Sequence, residues 1–496
     1  MSRDTAVARE AALTRETEGA FRMFAFRSVF GASELIASTA FPLPLEAVQG
    51  ERRSLPGRLP FTLEPEPAGV DLRQWSRWLF ASGGVHRVDI GPGVTWPHHQ
   101  PTPSARCLYP ARISLLTPDV DGGRAGPLRA GSYRYDPLHH QLIWQCGPVL
   151  HALRDQLGSP LSGVFAGAAV SVDWQRTHGQ YGHFGYRLGL LEAGMQAAQL
   201  GIVAEALGWH VSLVWDFPDA PVNAALGMGN HERVVALVLL RRLPGTVRVP
   251  PYLPVPPTRD GGPVSLPGAT LETLDRVTHL QLGPGRADGD VGPPERVTPP
   301  LLVPRTLRQT LRARHSGLAV FAPVAEQGRP DLLDDLLRPA LAPAPVVDGT
   351  PDASVSIEAL LNGRDGLKHH RLTRDGPPVI GGPRADPLMR TVLEEVQPDM
   401  PLAHLPLTAY LCVPLHGPSP RTYRRVHLQA GLIAQRILLL AAQQGWAGRA
   451  SCSFNAPRVQ RLLELDGPVV PLLQLAFGRE PTARLAHDHH RLSLHP

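Results

Sequence analysis

An internal repeat is the feature of this sequence that most limits what it can fold into. The stretch 186–240 recurs without a gap at 423–477, so that Tyr186 and Tyr423 stand 237 positions apart. The same spacing relates the pairs Arg187 and Arg424, Leu191 and Leu428, Gly194 and Gly431, Gly208 and Gly445, Trp209 and Trp446, and Phe217 and Phe454. A spacing that holds over a helix, a turn, a strand, a short helix and a second strand predicts two structural copies of one domain.

The first part of the repeat has the pattern of a buried helix. Apolar residues recur there at intervals of three and four and therefore share one helical face, namely Leu188, Leu191, Met195, Ala198 and Ile202. Gly208 and Gly445 stand where helices often end in the left-handed conformation. The small pairs at 193–194 and 430–431 would let another backbone approach closely, and plain helix packing is the simplest explanation for them.

Composition agrees with two soluble domains. The chain has 496 residues, of which 43% are hydrophobic and 19% charged, which is too long for one core and ordinary for two. Its four cysteines form no CxxC pair, which favours a reduced, cytoplasmic compartment and argues against a disulfide framework. No apolar run approaches the roughly 20 residues of a membrane span, so we expect no membrane partner.

Charge and the rarer residue types exclude several functions. The net charge is +5, but the arginines are scattered and aromatic residues make up only 6%, so we expect no nucleic-acid partner. Lys368 is the only lysine, which disfavours Schiff-base chemistry and lysine-dependent phosphate loops. The histidine doublets at 98–99, 139–140 and 369–370 lack metal-ligand spacing. We therefore expect them to be exposed and predict no metal site.

A stretch dense in proline and glycine divides the chain. It predicts a first domain at 1–243, an extended linker at 244–304 and a second domain at 305–496. Residues 1–45 are predicted to contain one or two helices. Residues 71–84 have the pattern of an amphipathic helix with Trp75 and Trp78 inward, and 131–145 that of a hairpin.

Several segments resemble one known family. In the first half they are PSARCLYP (103–110), GSYRYDP (131–137), DWQRTHGQYGHFG (173–185) and YRLGLLEAGMQAAQLGIVAEALGW (186–209). These are similar to the PS loop, the YRYDP hairpin and the LLEAGH helix of SagB-type dehydrogenases, a branch of the nitroreductase superfamily. RHSGLAVF (314–321) and YRRVHLQAGLIAQRILLLAAQQGWAG (423–448) resemble the same superfamily in a more degenerate form.

The resemblance implies an α+β fold in which two tandem nitroreductase-like domains form an internal pseudo-dimer. Such a chain could act as a monomer. FMN would lie between the two units and touch both, NAD(P)H could serve as the electron donor, and the substrate would be a small molecule or a peptide. These are the expectations of an FMN-dependent oxidoreductase.

Carried over residue by residue, the resemblance implies one composite site and about one FMN per chain. The second domain would supply Arg314, Ser316, Gly445, Gly448 and Arg479, and the first would supply Pro103, Ser104 and Arg106. Guanidinium groups match a phosphate well. The opposite site would need Arg53, Ser54, Arg58, Arg241 and a second PS loop, and residues 339–362 contain no such motif.

Departures from the family leave the activity open. Gln180 precedes Tyr181 where azoline dehydrogenases have a Lys-Tyr pair, and Arg106 and Met195 replace a glycine and a histidine. Tyr181 is the one catalytic residue that we predict, as a proton donor, although a packed aromatic explains it equally well. Arg314 and its neighbours could likewise only cap a helix. A flavin-free scaffold or partner in a peptide-modifying system, and a protein that stores or senses FMN, therefore stand as alternatives.

Overall fold

The computed structural model describes most of both halves of the chain. The described residues are 21, 24–25, 27–29, 52–55, 72–89, 96–117, 128–157, 161, 163–241, 304–317, 327–348, 355–374, 376, 379–380, 386–415, 418–479 and 486–488. Nearly all of the predicted linker, most of 1–45, and Arg58 lie outside them. The domain boundaries therefore stay predictions.

The first half is built on an antiparallel sheet of seven strands. Their spatial order is β1 (Arg52–Ser54), β6 (Gln141–Cys146), β5 (Gly131–Asp136), β4 (Ala111–Thr117), β7 (Val164–Asp173), β9 (Glu232–Arg241) and β8 (His210–Val214). The helices of this half are α1 (Leu72–Gly83), α2 (Val149–Leu157), α3 (Trp174–Tyr181), α4 (Phe184–Ala206) and α5 (Asp219–Ala225). A separate small sheet joins β2 (Arg87–Asp89), β3 (His98–His99) and β16 (Ala486–Asp488).

The second half repeats this order with six strands. They are β12 (Val379–Ile380), β11 (Gly366–Leu372), β10 (Ser356–Gly363), β13 (Leu407–Pro414), β15 (Val469–Gly478) and β14 (Ala447–Ser451). Its helices are α6 (Pro304–Ala313), α7 (Asp386–Val396), α8 (Pro420–Gln443) and α9 (Ala456–Leu462).

The strand register is the same in the two parts of the chain that carry the repeat. β8, α5 and β9 begin and end 237 positions before β14, α9 and β15. His210 pairs with Arg241, and Ala447 pairs with Gly478 at the equivalent place. Even an irregularity is shared, since β7 and β13 both slip by one residue against their partner, after Val170 and after Leu411. The two copies thus agree in hydrogen-bonding register as well as in sequence.

Helices α4 and α8 join the two halves by packing against each other. A Cβ atom on Gly194 would lie 2.0 Å from the carbonyl oxygen of Leu428, and one on Gly431 would lie 2.1 Å from that of Leu191. The two contacts are related by the repeat, because Gly194 is equivalent to Gly431 and Leu191 to Leu428. The small pairs therefore allow the close backbone approach that their sequence suggested, within one core shared by both halves.

Arginines at the start of these helices also cross between the halves. Arg424 donates to Asp219 Oδ1 at 2.6 Å, and both side chains are buried. Arg187 donates to the carbonyl oxygens of Ser28 and Leu472. Both arginines thus hold α4 and α8 in place, which is the structural part that the sequence favoured for them over a chemical one.

Local predictions are largely confirmed, with one error. Helix α1 buries Trp75 and Trp78 as expected, β5 and β6 form the predicted hairpin, and all four cysteines are free thiols. The exposure expected of the histidine doublets holds only at His139: His369 and His370 are buried, and His98, His99 and His140 are half-buried. His140 lies 2.8 Å from both Ser76 Oγ and Tyr135 Oη, hydrogen bonds that the sequence pattern does not reveal. Of the helices in the described residues, none combines the length and apolarity needed to cross a membrane.

Candidate functional site

The loop that contains Pro103 and Ser104 has an unusual backbone. Arg106, Cys107 and Tyr109 all have positive φ, between 47° and 51°, which is uncommon outside glycine. The loop is tied down from inside its own half, because Ser104 Oγ accepts the amide of Tyr109 at 2.8 Å. Strain held in place by such contacts is typical of functional loops.

The segment 314–316 of the second half is anchored on the edge of β14. The carbonyl oxygen of His315 accepts the amide of Gly448 at 3.1 Å. Ser316 is contacted by two guanidinium groups: its hydroxyl lies 3.3 Å from Arg314 Nη1, and its carbonyl oxygen accepts Arg449 Nε at 2.9 Å. Arg314 is only 7% exposed, so this cation lies within the protein.

The structure brings this segment and the loop together across the two halves. Arg314 Nη2 lies 3.4 Å from the carbonyl oxygen of Gln100, and Gln435 on α8 donates to that of Pro101 at 3.3 Å. Pro103 and Ser104 follow directly in the same loop. The residues assigned to the two sides of the composite site are therefore neighbours in space.

The remaining residues of the predicted site have structural explanations of their own. Gly445 adopts a φ of 76° after α8, as a helix-ending glycine does. Gly448 has no room for a side chain, because a Cβ there would lie 2.6 Å from Leu438. Arg479 is exposed and its guanidinium carbon lies 5.2 Å from the centre of the Trp446 ring, at the same end of β14 and β15 as Ser316.

Tyr181 lies at the end of α3 beside Arg106. The Arg106 guanidinium is 5.6 Å from the centre of the Tyr181 ring and donates to Gln180 Oε1. Burial raises the pKa of Tyr181 to about 12, although the Arg106 charge acts to lower it. The phenol therefore keeps its proton at neutral pH, as a proton donor must.

Glu192 is a candidate that the sequence analysis missed. It lies on α4 and is 7% exposed, its Oε1 accepts the amide of Ala105 at 2.9 Å, and it also bonds the Ser104 hydroxyl. Burial raises the pKa of its carboxyl to about 8, against the opposing effect of those hydrogen bonds. The available signal was a carboxylate within the predicted buried helix, at a position where the second copy has the uncharged Gln429.

One thiol from the second half belongs to this cluster. Burial raises the pKa of Cys452, and the charge of Glu192 raises it further, while the charges of Cys452 and Cys107 also act on Tyr181. Cys452 is thus a residue of the second half that interacts electrostatically with both Tyr181 and Glu192, and its own pKa is raised mainly by burial.

The donor set suits the phosphate-bearing cofactor that the resemblance implies. Arg314 and Arg449 contact Ser316, and Arg479 lies at the same end of the β14 and β15 pair. Several guanidinium groups at a sheet end are the chemistry that binds a phosphate. The residues present therefore fit a flavin mononucleotide in charge and in donor type.

The described residues named for the opposite site lie far apart in the first sheet. Arg53 and Ser54 lie on β1 at one edge of the first sheet, whereas Arg241 ends β9 near the other edge. At that other edge the second half adds a parallel bridge, in which Val346 pairs with Leu213 of β8. Asp348 then accepts the amides of Trp215 and Asp216 at 2.6 and 2.9 Å.

Comparisons with known proteins agree with this fold. Residues 379–479 match the nitroreductase family, which places the match in the half that the sequence suggested to be the more degenerate. No curated protein matches the chain. A crystal structure of a candidate nitroreductase from Anabaena variabilis superposes with a TM-score of 0.68 at 19% identity, covering 92% of this chain and 99% of that one.

Shorter solved structures are also similar. The Escherichia coli microcin synthetase McbBCD complex, with truncated pro-MccB17 bound, contains a chain that is 16% identical, with a TM-score of 0.31 and coverage of 47% of this chain and 94% of that one. An NADPH:FMN oxidoreductase from Vibrio harveyi in complex with NAD+ is 14% identical, with a TM-score of 0.26 and coverage of 35% and 70%.

Residues 379–479 therefore match the nitroreductase family, and the whole chain shares its fold with a solved structure described as a nitroreductase.

Proposed function

We propose that this protein is an FMN-dependent oxidoreductase whose two tandem nitroreductase-like domains, at 1–243 and 305–496, form an internal pseudo-dimer around the flavin. The observation that carries the proposal is the contact of Arg314 with the loop of Pro103 and Ser104, since it joins the two sides of the predicted site. The reciprocal glycine contacts between α4 and α8 support the pseudo-dimer.

About one FMN per chain follows from the difference between the two ends of the interface. At one end Arg314, Arg449 and Arg479 of the second half lie near the first half's loop. At the other end the edge of β8 is covered by residues 345–348 of the second half. Among the described residues, the first end is the one where several arginines meet the loop of the other half.

When bound, FMN supplies hydride transfer between an electron donor, NAD(P)H or the substrate itself, and an acceptor. The protein's part is to bind and orient the reactants and to hold protons. Arg314, Ser316, Arg449 and Arg479 would bind the phosphate. Tyr181 would hold a proton on its phenol oxygen and Glu192 on its carboxyl, and both stay protonated at neutral pH.

Arg106 occupies a position with chemical consequences for the substrate. It places a cation beside Tyr181, where the resembling azoline dehydrogenases carry a lysine next to the tyrosine. A guanidinium does not give up its proton in proteins and so cannot act as a base. We therefore expect turnover of a small molecule or a peptide that needs a proton donor, and no azoline oxidation.

The test is the absorption spectrum of the purified chain, followed by release and quantification of flavin. Bands of oxidised flavin at about one FMN per chain support the proposal. Arg314→Ala should lower the bound FMN at least tenfold, because it removes a buried cation next to the phosphate donors. Arg312→Ala is the matched control. Arg312 lies two residues before Arg314, at the end of α6, and is exposed, so this variant should retain FMN.

The flavin-free scaffold is favoured by one specific observation. The Ser104 hydroxyl is used by Glu192 and the Tyr109 amide, and the Gly448 amide by His315, so two groups of the predicted site already bond within the chain. A colourless protein that does not take up added FMN would refute the oxidoreductase and direct attention to partner proteins. Bound FMN that no electron donor reduces would instead indicate storage or sensing.

A further inference from the structure

A large cavity lies in the second half, beside helix α8. Its volume is about 530 Å³, within the range of about 300–1,000 Å³ that is typical of ligand pockets. All of its described lining residues belong to the second half, namely Leu341, Val355, Ser356, Glu358, Arg371, Thr373, Arg374, Cys412, Pro414, Gln429, Ile433, Asp466 and Val469. None of them is among the residues assigned to FMN, so this is a different site.

The cavity lies at the end of the sheet where the two copies differ. In the first half β7 is followed by α3, which covers that end, and Arg176 on α3 donates to the carbonyl oxygen of Leu108 at 2.6 Å. In the second half only residues 415–419 connect β13 to α8, which leaves no length for an equivalent helix. The space that a helix and its loop close in one copy is therefore open in the other.

One arginine of the cavity is held in place by a buried carboxylate. Arg371 Nε donates to Glu358 Oε1 at 2.8 Å, and His369 Nε2 lies 2.8 Å from the other oxygen. The Glu358 side chain is 1% exposed, whereas that of Arg371 is 37% exposed at the cavity. An arginine oriented through Nε presents its two terminal nitrogens as a fixed fork, which matches a planar carboxylate.

The charges of the lining identify the class of ligand. Arg371 and Arg374 contribute two positive charges, and Glu358 and Asp466 two negative ones. Because the positive and negative charges of the lining are equal in number, a dianionic phosphate ester would gain less binding free energy there than a ligand that carries one charge of each sign. The wall also offers aliphatic surface at Leu341, Ile433 and Val469.

We propose that this cavity binds a free amino acid or short peptide, with its carboxylate on the Arg371 fork, its ammonium group towards Asp466 and an aliphatic side chain on Ile433. The proposal does not depend on FMN. It assigns the second half a binding site for a zwitterionic ligand, at the position where the first half keeps a helix.

The test is equilibrium binding to the full chain by calorimetry and by ligand-detected NMR, with four probes. These are the dipeptide leucyl-leucine, N-acetyl-leucine, leucinamide and inorganic phosphate. The dipeptide should bind at least tenfold more tightly than either leucine derivative, because each derivative lacks one charged contact. Phosphate binding as tight as that of the dipeptide would overturn the proposal, and so would an absence of dipeptide binding at millimolar concentration.

Variants separate the two charged contacts. Arg371→Met should weaken the dipeptide and N-acetyl-leucine at least tenfold, whereas Asp466→Asn should weaken the dipeptide and leucinamide and leave N-acetyl-leucine unchanged. Because Arg371→Met leaves Glu358 without one partner, Arg374→Ala at an exposed side chain provides a second measurement, with an expected severalfold loss. Arg458→Met, which alters an exposed arginine paired with Glu395, is the control, and a loss equal to that of Arg371→Met would refute the site.

Discussion

Replacing Glu192 with glutamine isolates the cost of burying one carboxyl group. The side chain is 7% exposed, and burial raises its pKa from the ordinary 4.5 to about 8. Between these values the folded protein holds a proton that the unfolded chain releases. The contribution of Glu192 to stability is therefore fully present below pH 4.5 and is lost as the pH rises to about 8.

The size of the effect follows from the shift. Each pKa unit corresponds to about 1.4 kcal/mol, so ionisation of the unfolded chain costs about 3 kcal/mol of stability at pH 7 and about 5 kcal/mol above pH 8. A glutamine of the same shape never ionises, and its oxygen can still accept the Ala105 amide. Gln429 stands at the equivalent position of α8, so this helix geometry accommodates glutamine.

The assay is urea unfolding of the wild type and Glu192→Gln at pH 5, 6, 7 and 8, at matched flavin content. The free energy of unfolding of the variant should rise relative to the wild type by about 2.5 kcal/mol between pH 5 and pH 7. Glu395→Gln, at a carboxylate that is 54% exposed, should show a nearly constant difference. Parallel curves for wild type and Glu192→Gln would refute a neutral buried carboxyl.

Three further predictions concern the interface and Tyr181. Tyr181→Phe should lower turnover while leaving flavin content intact, and equal loss of both would refute its part as proton donor. Gly194→Ala should destabilise the protein by about 3 kcal/mol in thermal unfolding, since its Cβ would lie 2.0 Å from a carbonyl oxygen, whereas Gly147→Ala, with nothing within 4 Å, should be nearly neutral. Arg424→Met should cost about 3 kcal/mol, because it removes the nearer cation from the buried Asp219 and leaves only Arg421 at 3.8 Å, and removing the Asp219 charge as well should recover most of that loss.

For the paired helices α4 and α8, the sequence predicts the helix and its end but not the packing partner. Apolar spacing along α4 and the glycine at 208 follow from local rules, and both are found as predicted. The pairs at 193–194 and 430–431 indicated close packing but did not identify the partner. Each glycine meets the equivalent helix of the other copy, and this becomes visible only when the copies are placed in space.

The candidate site was predictable in its parts and not in its chemistry. Motifs indicated Pro103, Ser104 and Arg314, and the structure brings their segments together. The part of Glu192 was not predicted, because a carboxyl becomes neutral only through burial. Arg106 was predicted to bind the cofactor, and only the structure shows its contacts with Tyr181 and Gln180. The exposure of the histidines was predicted wrongly for the same reason, since a pair of adjacent histidines does not indicate whether tertiary contacts bury them.

The sequence by itself determined the repeat at a spacing of 237 residues and the order of helices and strands along it, because these depend on local periodicity and on a spacing repeated along the chain. Only the tertiary structure decided which groups meet. Glu192 lies 87 positions from Ala105, and Asp348 lies 133 positions from Trp215. Contacts over such separations follow from how two similar sheets pack around one shared helix pair, and no pattern within either copy specifies them.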